Sequence, residues 1–595
     1  MSAENARGYA PQKESYFERC LIVAGYPTVR SVGIFYAMKK NFIFRIKSFL
    51  LCMISLTALV ACNKDGEITI PLKPEISFEQ QRFELKLGQN VLLAPMVKNV
   101  DQSTTYLWTL QGKSLSTKPE YEFVAQSVGQ HLLTFTATNQ AGSTSENVRI
   151  VVSELAPPRI EFAVGEDGLF EMVAGCSYTL RVDVVSASDY ELRWIVDSKP
   201  MGTGEKLELK FDQVGDHRLT LEAENEDGKS EKSFTLGVRN YVNDMFHIAQ
   251  ERHVALGRTL YLEPTLWDVE SDKVSFEWIK NGEVIGNASM LKYKAEKLGK
   301  ESIILKVTSN GETLEREISV ECHPAEQESK REATAQSRSE CDKVFSYTPG
   351  VGQFLNETNS GFAGESTSEQ AAAYAERRLK EQNYVSLGAW GGELTVGFDH
   401  SVEERFYVGG NFYEGSSEAG IVWVSQDTNL NGLPDDEWYE LRGSEWGKPT
   451  HARLHAITYY KPRSEQGNIM WRDNKRQMGC VYRNGVHTQP SYYPEWVAAQ
   501  SYTLYGSWLE QNTVRESSGK YVNKAYVWGY ADNEGEDSQH EGAESKVEFR
   551  VENAVNIDGT PACLEYVDFV RVQTAICHTA GELGEISTEV TAIFE

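Results

Sequence analysis

Tyr106-Leu-Trp-Thr-Leu-Gln-Gly-Lys-Ser-Leu115 returns in altered form as Glu191-Leu-Arg-Trp-Ile-Val-Asp-Ser-Lys-Pro-Met201, and again as Phe276-Glu-Trp-Ile-Lys-Asn-Gly-Glu-Val-Ile285. Trp108, Trp194 and Trp278 are 86 and 84 residues apart, and Gly129, Gly215 and Gly299 keep the same two spacings. Those glycines stand in SVGQHLLTFTATN (127–139), QVGDHRLTLEAEN (213–225) and KLGKESIILKVTS (297–309), and Gly142, Gly228 and Gly311 close the turns that follow. A fixed period of this size means three copies of one folding unit. Within each copy, apolar and polar residues alternate, as in His131-Leu-Leu-Thr-Phe-Thr-Ala-Thr138. Alternation with period two between Gly/Asn turns predicts short antiparallel strands in a sandwich. The tryptophan is expected to fill the space between the sheets.

Working outward, the copies occupy 72–154, 157–239 and 242–322. Their pattern resembles immunoglobulin-like domains of the polycystic-kidney-disease (PKD) type. The third copy departs from it at Thr308-Ser-Asn-Gly311. The resemblance implies sandwich modules that serve as spacers. Residues 323–343, HPAEQESKREATAQSRSECDK, are polar and lack large apolar side chains, so they read as a linker. Cys322 and Cys341 flank it, and a disulfide clasp across it is one arrangement the six mature-chain cysteines beyond Cys62 allow.

The body from 344 to 595 differs in composition: it holds eight of the twelve tryptophans. Ser366-x-x-Glu369 before AAAYAERRLKEQ predicts one capped helix. YVSLGAWGGELTVGFD, GIVWVSQD and LEYVDFVRVQTAI read as strands. The expected fold class is therefore mainly β: three Ig-like/PKD-type sandwiches followed by a larger, jelly-roll-like β-sandwich.

The N-terminal region fixes an expected location. Lys39, Lys40, Arg45 and Lys47 precede an apolar run from Phe49 to Ala61, which ends in Leu59-Val-Ala-Cys62. A basic start, a short apolar run and small residues before a cut describe a secretory signal too short to span a bilayer. With Cys62 after Leu-Val-Ala, the leader resembles a bacterial lipoprotein signal, which implies cleavage before Cys62 and lipidation of that residue. Residues 1–61 form the leader, with Met38 the natural start of the signal (38–61) and 1–37 a misassigned start. The chain carries −27 overall, and residues 1–61 contribute 8 − 3 = +5, so residues 62–595 carry −32. So acidic a surface repels phosphate backbones, which argues against nucleic acid as a partner.

Three groups of residues could carry chemistry. Asp427-Thr-Asn-Leu-Asn-Gly-Leu-Pro-Asp-Asp-Glu-Trp438 places oxygen ligands at alternate positions, Asp427, Asn429 and Asn431. A glycine follows at the sixth position, a carbonyl is offered by Leu433, and Asp435 stands at the ninth. Calcium takes six to eight oxygens, and alternate residues of a tight loop can converge on one ion. The loop resembles those of dockerin and thrombospondin type-3 repeats. Trp438 stands where an acidic twelfth residue is expected, leaving Asp436 or Glu437 to substitute. The same residues also suit a plain polar hairpin. Second, the aromatics Trp390, Trp446, Trp471, Tyr492, Tyr493 and Trp496 sit in loop-like contexts and are candidates for stacking on a ligand. Third, His451-x-x-x-His455 has a two-ligand spacing without the intervening glutamate of a metalloprotease, and no G-x-S-x-G occurs. No catalytic set is expected.

FSYTPGVGQFLNE, GNFYEGSSEAGIVWVSQDTNLNGLPDDEWYELRGSE, YVWGYADN and the ending GELGEISTEV resemble the C-terminal domain of Bacteroidetes PKD-domain cell-surface lipoproteins. The segment Glu403-Glu-Arg-Phe-Tyr-Val-Gly-Gly410 departs from that pattern. The resemblance implies an outer-membrane lipoprotein that captures a nutrient, a glycan or a corrinoid such as cobalamin, beside a TonB-dependent receptor. The competing readings are an extracellular glycan hydrolase and a purely structural or adhesion protein.

Overall fold

A computed structural model describes residues 71–595 except 243, 244, 270–272, 465 and 543. The leader and Cys62 lie outside the described residues. The chain divides into two compact units at Val152/Ser153.

The first unit contains the first repeat. Its main sheet has five strands in the order Arg82–Lys86, Gly142–Ser153, Gly129–Asn139, Thr105–Leu110, Lys113–Ser116. Two short strand pairs, Glu75–Ser77 with Met96–Lys98 and Asn90–Leu93 with Tyr121–Val124, complete the fold. Trp108 is fully buried opposite Phe135, with ring centroids 4.7 Å apart.

In the second unit, the second and third repeats build the same five-stranded order. Trp194 and Trp278 are likewise fully buried, opposite Leu221 and Leu305. The ladder slips immediately after the tryptophan in all three copies: at Trp108/Thr109, Trp194/Ile195 and Trp278/Ile279. An irregularity kept at one position turns the strand and aims the indole inward. The hairpin glycines Gly142, Gly228 and Gly311 have φ of 131°, 137° and 82°, a region that a side chain disfavours.

The C-terminal body sets a six-stranded antiparallel sheet against a four-stranded one. Val396, Val422, Val424, Val570 and Val572 of the first share a core with Phe406, Val408, Val547 and Phe549 of the second. The helix Ser368–Lys380 adds Ala371, Tyr374, Ala375 and Leu379 to that core. Its cap lies one residue beyond the expected box: Thr367 accepts from the backbone N–H of Gln370, and the Gln370 side chain accepts from the N–H of Ser366. A further four-stranded sheet (His451–Tyr460, Ile469–Asp473, Met478–Val481, Ser501–Leu509) carries a second core around Trp390, Tyr459 and Tyr492.

Three expectations need correction. Residues 323–343 are not a free linker. Buried Glu326 accepts from Gln426, Arg258 and the N–H of Glu565; Arg331 pairs with Asp568 at 2.8 Å; Cys341 and Asp342 donate to Ile593 and Gly397. The charged residues that made this stretch look solvated find partners in the body instead. Nor are the second and third repeats detached spacers. Arg472 of the body pairs with Asp268 of the third repeat, which also accepts from Tyr178 of the second, while the Arg472 guanidinium lies 4.7 Å from the Phe170 ring. Glu161 accepts from the N–H groups of Arg463 and Ser464, and Arg252 pairs with Glu437. All six cysteines among the described residues are free thiols, so the clasp between Cys322 and Cys341 is not formed.

Candidate functional site

The six-stranded sheet turns its valines to the core, and the pleat turns the alternate residues the other way. Trp423 of Gly420–Ser425 stands directly between Glu440 of Trp438–Leu441 and Arg571 of Val567–Thr574. Two residues along each strand, on the same face, come Trp438 and Gln573. With Trp446, Tyr505, Ser507, Arg453 and Asn556 they line a cavity of about 200 Å³, to which the third repeat contributes Thr265. The third repeat also braces its wall: His247 stacks on Tyr505 with centroids 4.1 Å apart, and Glu263 pairs with Arg453 at 3.4 Å.

The groups in this cavity are held in place. The Arg571 guanidinium lies 4.1 Å over the Trp438 ring, and its Nε donates to Thr395. A planar cation on an indole fixes both planes. Trp446 packs on His451 with centroids 4.7 Å apart. Buried Glu440 accepts from Ser507 Oγ at 2.6 Å and meets His451 Nε2 at 2.9 Å. The carboxylate thus stands between hydroxyl and imidazole, whereas nucleophilic catalysis needs the imidazole in the middle. This set orients an acceptor; it does not activate Ser507. Gln573 donates to the carbonyl of Tyr505, and its Oε1 is buried with no partner among the described residues. That amide fits only because position 506 is glycine: a Cβ there would fall 1.8 Å from Oε1. Three part-exposed indoles, a stacked arginine and an unsatisfied amide oxygen form a cavity suited to a compact ligand with one apolar face and several hydroxyls.

Of the aromatics singled out in the sequence, only Trp446 lines this cavity. Trp390, Tyr492, Tyr493 and Trp496 are buried, at 0%, 0%, 1% and 9% exposure, and have no surface to offer a ligand. Trp390 donates to the Ser507 carbonyl, and Tyr493 donates to that of Ala499. The 490–496 run bends at Tyr492 and Tyr493 and turns at Glu495–Trp496, which lays both tyrosines in the second core. Trp471 is half-buried on the same core, its ring filling the space that Gly479 leaves open. Trp423, Trp438, Arg571 and Gln573 escaped notice because each reads as an ordinary strand residue. Their shared face depends on pairing between strands more than a hundred residues apart.

His451 and His455 do not share a site. A ladder irregularity between Ala452 and His455, with Leu454 at φ 55°, sends them to different neighbours. His455 packs edge-on against Trp390, and burial lowers its pKa to about 4.

The loop 427–438 folds back on itself through hydrogen bonds among its own side chains and backbone. Asp427 accepts from the N–H groups of Asn431 and Gly432, and the Asn429 and Asn431 side chains both reach the Asp435 carboxylate, at 3.0 and 2.8 Å. Leu433 is exposed. Glu437 is withdrawn: Arg252 holds both of its oxygens. Asp436 lies inside instead, bonded to Thr428 with its second oxygen buried and unpartnered; burial raises its pKa to about 8.

A separate group of buried acids lies behind the main core. Glu418, Asp532 and Glu589 bring oxygens within 4.8 Å of one another. Burial, reinforced by repulsion from neighbouring carboxylates, raises the pKa of Glu418 and Asp532 strongly, whereas burial alone raises that of Glu589 to about 7 against the hydrogen bonds it makes. Neighbouring Glu585 is raised to about 8 by burial.

No curated protein matches the chain. Among solved structures it is similar to the I-band fragment I67–I69 of titin (15% identity, 42% of this chain and 98% of that one, TM-score 0.22). It is also similar to the three N-terminal domains of the bacteriophage RB49 outer capsid protein Hoc (15%, 42% and 98%, 0.20). A third similarity is to fibronectin(III)-like modules of Clostridium thermocellum CbhA (13%, 28% and 94%, 0.17). At these TM-scores none of them bears on function. The model of the PKD-like domain family matches residues 71–139, so the first repeat contains a PKD-like domain.

Proposed function

We propose that this is a surface lipoprotein of the Bacteroidetes type, anchored in the outer membrane through Cys62, that captures a glycan without catalysis and serves a TonB-dependent receptor. The tryptophan-lined cavity is the observation that carries this reading. Its size favours one of the two ligand classes. Sites for drug-sized ligands run to about 300–1,000 Å³, and about 200 Å³ accommodates a sugar ring but not a corrinoid macrocycle. Indole faces stack on the apolar face of a pyranose, and Gln573, Asn556 and the arginines suit its hydroxyls or a sugar carboxylate. Calcium belongs to the same proposal as a structural ion of the 427–436 loop, held by Asp427, Asn429, Asn431 and Asp435 with Asp436 in place of Glu437.

The test is binding of the purified full-length protein to a glycan array, followed by calorimetry on each hit. Trp438→Ala should weaken binding by about 5- to 150-fold, since losing one stacked ring costs about 1–3 kcal/mol. Cobalamin should not compete. Glycan binding unaffected by Trp438→Ala, or binding of cobalamin alone, would overturn the reading.

A further inference from the structure

The third repeat carries a cluster outside the cavity. Its strand Glu251–Ala255 runs parallel to its last, Glu312–His323, with His253 opposite Glu321 and Ala255 opposite His323. In this ladder Val254, Val320 and Cys322 point to the core, so His253, Glu321 and His323 share the outer face, all three half-exposed. His253 Nδ1 and His323 Nε2 are 2.8 Å apart, with the rings stacked at 22°. One ligand atom from each of the three residues lies within 4.8 Å of the other two.

We propose that His253, Glu321 and His323 form a binding site for a zinc-class divalent transition metal at the junction of the third repeat and the C-terminal body. Two imidazoles and a carboxylate are a donor set that zinc takes in tetrahedral sites, with bonds of about 2.0–2.2 Å and hence donors about 3.4 Å apart. The present spacing reaches that geometry by small side-chain rotations, with no change in the ladder. Asp435 of the body's acidic loop acts electrostatically on His323, so negative charge from the body adds to that of Glu321 at the cluster, and water would complete the coordination sphere. Arg252, adjacent to His253, already grips Glu437 of that loop.

The same two histidines also make sense as a plain hydrogen-bonded pair, and metal titration of the full chain separates the two. Calcium is kept in excess so that oxygen-only sites are filled. Cobalt(II) should bind at one equivalent and give the visible absorption of a tetrahedral nitrogen–oxygen site, and zinc should displace it. The variant His253→Ala/His323→Ala should lose that spectrum. Loss of an outer-sphere partner alone costs 10–100-fold in affinity, so the double variant should bind at least about 100-fold more weakly. Glu321→Gln should weaken binding while keeping the fold, and His323→Gln is the substitute if the double variant does not fold. The same cobalt spectrum in His253→Ala/His323→Ala, or no bound metal in the folded wild type, would overturn the proposal.

Discussion

The first repeat and its two sisters share a tryptophan, a glycine pattern and a ladder irregularity, yet they have different fates. The first forms a compact unit by itself, and its one buried polar side chain among the described residues is Asn139. The second and third bury Glu161, Asp183 and Asp268. Glu161 and Asp183 are answered by Arg463, Ser464 and Asn468, and Asp268 by Arg472. One sequence skeleton therefore specifies a sandwich, and a few acids added to it specify what that sandwich binds. A buried carboxylate is tolerable only with a partner, so each of these acids commits its repeat to the C-terminal body.

The sharpest way to break this comparison is Arg472→Ala. Removing one side of a buried pair typically costs about 3–5 kcal/mol, because the other charge stays buried. Amide exchange should accelerate across residues 153–595 and remain unchanged in 71–152. Equal exchange in the variant and the wild type would mean that the junction contributes nothing.

A smaller effect comes from pH. Glu585 and Glu589 have folded-state pKa values of about 8 and about 7 against an ordinary 4.5. The folded state thus binds protons more tightly than the unfolded one. The associated stability is complete below about 4.5 and is lost as pH rises through 7 and 8. In chelator, the second unit should melt higher at pH 5.5 than at pH 8.5. Each tenfold tightening of proton binding that survives relaxation of the fold is worth about 1.4 kcal/mol, or roughly 3–5 °C for a domain of 150–250 residues. The first unit buries no carboxylate among its described residues and should not follow the trend. A flat profile in both would show that these acids are already relieved, by water or by a bound cation.

The smallest effect distinguishes the tryptophans themselves. Trp194 and Trp278 donate to the carbonyls of Gly204 and Ala288 at 2.6 and 2.8 Å, whereas Trp108 Nε1 is buried without an acceptor. Replacement by phenylalanine opens a similar space in each, but only in the later repeats does it also remove a hydrogen bond. Trp194→Phe should therefore cost about 1 kcal/mol more than Trp108→Phe. Amide exchange in the strands Gly215–Asn225 and Gly129–Asn139 would measure it. Equal costs would remove this distinction between the repeats.

The sandwich repeats were legible because their signal is local and periodic. Alternation, the tryptophan and the turn glycines all lie within one copy, and three copies reinforce one another. The loop 427–436 was legible for the same reason, since its contacts span ten residues. The cavity was not. Trp390, Tyr492, Tyr493 and Trp496 have the composition of a binding surface but lie in a core, while Trp423, Trp438 and Arg571 have the composition of plain strands but face a cavity.

By itself, then, the sequence determined the class of each module, the number of repeats and the acidity of the surface, because these follow from spacing and composition along the chain. Tertiary structure alone decided that 323–343 is held, that the second and third repeats pack against the C-terminal body, and which indoles face the cavity. Those outcomes depend on pairings such as Arg472 with Asp268, 204 residues apart, and Trp423 with Arg571 across two strands. Burial is a property of such long-range neighbours, and no local pattern encodes it.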